Sequence, residues 1–71
     1  MTMTMTITLN GQSRAFAADQ LTVDDLLAEV GFAGKPVVVE VDREAVFPAD
    51  YGSTGIRDGA SIEIVTIAAG G

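Results

Sequence analysis

A chain of 71 residues without cysteine or histidine makes one small domain and rules out disulfides, thiolate nucleophiles, imidazole bases and the usual zinc ligand sets. So short a chain has no room for an enclosed active site, and the composition argues against an enzyme built from this chain alone. Ten acidic residues against four basic ones give a formal charge of −6; the four, Arg14, Lys35, Arg43 and Arg57, are scattered, which disfavours nucleic acid and leaves solubility and steering toward a basic partner as equal readings of the acidic excess.

The N-terminus, Met1-Thr2-Met3-Thr4-Met5-Thr6, has neither a positive n-region nor an apolar h-region. With no apolar run approaching about 18 residues, the sequence predicts a cytoplasmic protein without a membrane partner. Met3, Met5, Ile7 and Leu9 alternate with Thr4, Thr6 and Thr8, the period of two that turns one side of a strand to a core and the other to water. Asn10-Gly11 then predicts a type I′ hairpin turn, whose two central residues both need positive φ. A second strand, about Ser13 to Ala17, runs back antiparallel, with Phe16 as its large core residue.

A helix follows. Thr22 is placed to cap it, Asp25 stands where a capping-box acid belongs, and Leu21 is placed to staple onto Leu26. Val23, Leu26, Leu27 and Val30 fall on one stripe, with Asp24, Asp25, Ala28 and Glu29 opposite. Gly31 ends the helix, and Phe32 returns onto Leu27.

The third strand is predicted from Val37 to Asp42, with Val37, Val39 and Val41 on one face and Val38, Glu40 and Asp42 on the other. That polar face implies a sheet covered on one side only. Residues 43–60 are too long for a bare loop in so small a domain, so a short edge strand is expected near Ala45 to Phe47 and a helical turn near Pro48 to Tyr51. Phe47 and Tyr51 are read as packing residues, and Arg57 and Asp58 as turn residues. After Asp58-Gly59, Ile62-Glu63-Ile64-Val65-Thr66-Ile67 is the final strand.

This order predicts an α+β fold of the β-grasp (ubiquitin-like) type: a mixed sheet of four to five strands packed on one helix, its first and last strands parallel at the centre. Residues 1–67 form the domain, and 68–71 a flexible Gly-Gly tail. Alone, a terminal Gly-Gly means little, since at average glycine usage it arises about one time in 200. Behind a compact domain it becomes informative. Gly70 and Gly71 lack Cβ atoms, so the backbone can pass a narrow channel and a nucleotide can approach the last carbonyl; Ala68 and Ala69 suit the same passage, more weakly. Val38, Val65 and Ile67 are expected to form an apolar docking patch near the tail if contiguous; singly they are ordinary surface residues.

Over essentially its whole length the chain resembles the ThiS family of sulfur carrier proteins. The matching pieces are Leu9-Asn10-Gly11, Thr22-Val23-Asp24-Asp25-Leu26-Leu27, Val39-Glu40-Val41-Asp42, Phe47-Pro48, Arg57-Asp58-Gly59 and Ile67-Ala68-Ala69-Gly70-Gly71. Each is weak singly; their order and spacing make the combination specific. The Met-Thr leader departs from the resemblance by being longer than it leads one to expect, which leaves the start of the first strand open but not the activity. The resemblance implies that a ThiF-type adenylating enzyme, consuming ATP, converts the Gly71 carboxylate to an acyl-adenylate. Sulfur from a cysteine desulfurase pathway would then give a thiocarboxylate, for delivery to a ThiG-type thiazole synthase in thiamin biosynthesis. It further implies that the chain is a cosubstrate with no catalytic residues, no metal and no stably bound cofactor of its own.

The nearest rival is a MoaD-like small subunit of molybdopterin synthase, which uses the same terminal chemistry; compactness and the Ile-Ala-Ala-Gly-Gly end favour thiamin. A ubiquitin-like modifier would instead form higher-mass conjugates through Gly71, and a plain interaction domain would lose nothing with its tail.

Overall fold

A computed structural model of the chain describes residues 3–67. Met1, Thr2 and the tail residues Ala68, Ala69, Gly70 and Gly71 lie outside the described residues, and with them the expected division at residue 67.

Strand β1 (Met5–Leu9) buries Met5, Ile7 and Leu9 and exposes the two threonines between them, as the alternation requires. The strand starts later than the Met-Thr pattern suggests: Met3 lies outside it and is 60% exposed. The reason is a shortage of partners. Strand β2 (Gln12–Phe16) ends opposite Met5, and on the other side the carboxylate of Asp58 takes the Thr6 N–H at 2.7 Å. The connecting turn has Asn10 at φ 49° and Gly11 at φ 82°, the left-handed pair expected. β2 sits one residue earlier than Ser13–Ala17, and its Phe16 packs half-buried at the margin of the core.

The helix α1 (Val23–Glu29) is capped as its sequence dictates: Thr22 Oγ1 accepts from Asp25 N–H at 3.1 Å, and Asp25 Oδ2 accepts from Thr22 N–H at 3.0 Å. Gly31 leaves the helix at φ 85°, and the Phe32 N–H donates back to the Leu27 carbonyl at 2.8 Å. Seven residues are too few for a stable isolated helix. Burial of Val23, Leu26 and Leu27 against the sheet stabilises it.

Two short strands have no counterpart in the sequence expectations. Leu21–Thr22 (β3) pairs antiparallel with Gly55–Ile56 (β6), placing Leu21 and Ile56 in the core. Leu21 is therefore a sheet residue as well as a neighbour of the helix start.

Strand β4 (Val37–Val41) and the short β5 (Glu44–Val46) form a second hairpin. Asp42, expected in the strand, instead opens a tight turn with Arg43, both at positive φ (49° and 71°). From there Asp42 Oδ1 accepts the Ser61 N–H at 2.9 Å, fastening the turn to the last strand. The next segment folds into the expected helical turn, Pro48–Asp50. Its continuation serves the helix: the carbonyls of Thr54 and Tyr51 accept from Val23 and Asp24 N–H at 3.0 and 3.2 Å, satisfying donors that a helix start leaves free.

Strand β7 (Ser61–Thr66) is central in a five-stranded sheet of order β2-β1-β7-β4-β5, parallel to β1 and antiparallel to β4. This is the predicted β-grasp arrangement. Ile7, Val23, Leu26, Val39 and Ile62 are the largest fully buried side chains, all between the helix and one face of the sheet. The other face has no layer over it among the described residues.

Candidate functional site

Tail residues 68–71 lie outside the described residues, so the geometry of the candidate site is that of the surface from which they continue. Ile67 is the last described residue, and its N–H donates to the Pro36 carbonyl at 3.0 Å, holding the chain against the start of β4 up to that point. Lys35, the neighbour of Pro36, is the basic residue nearest this end of the sheet in register; its Nζ stands 5.9 Å from the centre of the Phe32 ring.

The outward face carries an apolar row at this end. Val38 lies directly opposite Val65, at 44% and 58% exposure, and Ile67, two residues beyond Val65, is 51% exposed. These are the three residues singled out from the sequence, and the register brings Val38 and Val65 side by side. Phe47 joins them. The β4–β5 register ends with Val39 opposite Val46; Phe47 follows in extended conformation, and continuing that register by one residue would bring it alongside Val38 on the outward face. At 68% exposure Phe47 is not the packing residue expected, because β5 ends with Val46 and no described strand lies beyond it to cover the ring. Tyr51 does pack, half-buried, with its hydroxyl 3.4 Å from the Val37 carbonyl. The signal for Phe47 is its two-residue step from Ala45, in phase with the outward positions of β4.

Asn10 does more than form its turn. Its side chain also reaches β7: Oδ1 accepts the Ile64 N–H at 2.8 Å, and Nδ2 donates to the Ile64 carbonyl at 3.1 Å. β1 ends at Leu9, and the amide takes over as the next rung of the parallel ladder. Nothing in a single sequence signals a bond between residues 54 apart. The variant Asn10→Gly keeps the positive φ and loses both bonds. It is expected to lower stability by about 1–2 kcal/mol and to speed hydrogen exchange at the Ile64 amide; an unchanged exchange rate would contradict the clamp.

Among the described residues, no polar or charged side chain is buried, and no group of three or more His, Cys, Asp or Glu is gathered as metal ligands. Among the same residues, no helix is long and apolar enough to cross a membrane. The described surface from which the tail continues offers apolar side chains for contact.

Comparison with known proteins places this geometry. The model of the ThiS family matches residues 7–71. The crystal structure of the thiamine biosynthesis protein (ThiS) from Geobacter metallireducens superposes with a TM-score of 0.83 at 29% identity, covering 94% of this chain and all of that one. A solution structure of a thiamine biosynthesis protein from the same organism gives 0.79 at 30% identity, covering 94% of this chain and 88% of that one. A thiazole synthase of Paramagnetospirillum magneticum is 37% identical over 67 residues; the match covers 94% of this chain and only 20% of that protein. The chain thus spans a fifth of the length of that curated relative. With the match running from Ile7 through Gly71 and the same fold in its solved neighbours, the chain belongs to the ThiS family of sulfur carriers.

Proposed function

We propose that this chain carries sulfur on its last residue for assembly of the thiazole ring of thiamin, as a cosubstrate of partner enzymes. The observation that carries the reading is the family match extending through Gly70 and Gly71. A carboxylate is a poor electrophile, because its oxygen is a poor leaving group. An oxygen of the Gly71 carboxylate attacks the α-phosphorus of ATP on a ThiF-type enzyme; the new C–O–P bond forms as pyrophosphate departs. The terminal sulfur of a persulfide, charged by a cysteine desulfurase, then attacks the acyl carbon and AMP leaves with the bonding pair. A second thiol breaks the S–S bond by exchange, releasing the thiocarboxylate and a disulfide. ATP and sulfur belong to the partners, and no cofactor stays on the carrier.

The acceptor enzyme is a thiazole synthase of the ThiG type. Its support is the curated relative of that name, a fifth of which this chain matches. The glycines suit the task, because a Cβ at position 70 or 71 would obstruct the nucleotide and the acceptor alike. The apolar row of Phe47, Val38, Val65 and Ile67 gives these enzymes a surface to hold while the tail is in their active sites.

The test is intact-mass analysis of the purified chain after incubation with the adenylating enzyme, ATP and a persulfide donor. One oxygen replaced by one sulfur, located at Gly71 by fragmentation, is the expected result. An unchanged mass with all components active, or sulfur located elsewhere, rejects the reading.

A further inference from the structure

We propose that the outward face of the sheet docks on an enzyme surface that combines an apolar centre with an arginine or lysine set over Glu40 and Glu63. The sheet register places Glu40 directly opposite Glu63. The bonds from Asp42 N–H to Ser61 and from Ile67 N–H to Pro36 bracket this ladder. They fix the pair as a hydrogen-bonded one, with Cα atoms about 5.5 Å apart. Two carboxylates so placed repel each other in the free protein.

The sheet supplies nothing to relieve them. Among the described residues, no outward position of β1, β7, β4 or β5 carries Lys or Arg. Arg14 shares the inward register of Ile7, and Lys35, Arg43 and Arg57 lie in connections. The acidic pair is also one row from the apolar row, since Val38 and Val65 are two residues along the same strands. Two residues of a strand span about 7 Å. A partner that covers Phe47, Val38 and Val65 therefore brings its next side chains over the two carboxylates. A guanidinium, with five donors in a planar fork, can satisfy both at once.

Charge also decides against a second copy of this chain as occupant. Face-to-face self-association would set four glutamates against one another in a molecule already at −6. The partner is a protein surface of opposite charge, and its identity as the enzyme that activates Gly71 rests on the carrier reading above.

The experiment compares the full chain with the double variant Glu40→Gln, Glu63→Gln for binding to the adenylating enzyme at low and high salt, and for thermal unfolding alone. The variant is expected to bind about tenfold more weakly or worse at low salt, with most of the salt dependence gone. Its own unfolding midpoint should be unchanged or raised. A purely structural role for the glutamates would lower that midpoint instead, and overturns the proposal. Affinity within about twofold of wild type at both salt concentrations, or no binding by wild type, also overturns it. Sulfur acquisition at saturating enzyme separates the two readings: if wild type and variant both gain sulfur with equal affinities, only the docking proposal falls. If wild type binds in the glutamate-dependent way yet never gains sulfur, docking stands and the carrier reading falls.

Discussion

A chain extended by one alanine after Gly71 is expected to gain no sulfur, while its unfolding midpoint stays within about 2 °C of wild type. The extension turns the Gly71 carboxylate into a peptide carbonyl, which has no free oxyanion to attack ATP. The new carboxylate sits about 3.5 Å farther along the chain and carries a Cβ beside it. Displacing a reacting group by even 1 Å can cost about a hundredfold in rate, so adenylation at the new end should fall below detection. Folding is indifferent because the buried core lies between Met5 and Ile64. Pyrophosphate release and intact mass, measured beside a melting curve, check both halves. Wild-type rates of sulfur gain by the extended chain would remove Gly71 from the mechanism.

The second large effect is on the fold itself. Ile62 is fully buried in the central strand, paired with Leu9 of β1 and Val41 of β4. Ile62→Ala leaves a cavity where three strands meet under the helix, at a cost of about 2–5 kcal/mol. A single core in a domain this small rarely supplies more than about 3–5 kcal/mol. The variant should therefore be largely unfolded at 37 °C, read from urea titration of the far-ultraviolet dichroism. Ile62→Val, which removes one methylene group, should lose only about 1 kcal/mol and remain folded. Equal midpoints for alanine and wild type would mean that the centre of the sheet does not limit stability.

Features written in local chemistry are legible in the sequence. Alternation from Met5 to Leu9, the Asn10-Gly11 pair, the Thr22–Asp25 box and Gly31 are each decided within a few residues, and together they order the fold. Features set by distant partners are not. β3 and β6 have two residues each, too few for any period, and exist because Leu21 and Ile56 meet over the core. Phe47 reads as a packing residue because aromatic side chains usually pack; its exposure follows from where β5 stops. The apolar row is half legible: Val38, Val65 and Ile67 can be put on outward faces, but only the β4–β7 register sets Val38 beside Val65. The tail, residues 68–71, lies outside the described residues, and the role read for Gly71 belongs to the carrier function proposed above.

The Asn10 clamp also gives the molecule a way to age. An asparagine followed by glycine is prone, in water, to lose its side-chain nitrogen as ammonia. At Asn10 that deamidation would replace the Nδ2 donor with a second carboxylate oxygen facing the Ile64 carbonyl. A rung would become a wedge, prising at the central strand, and an old preparation should loosen there before it unfolds.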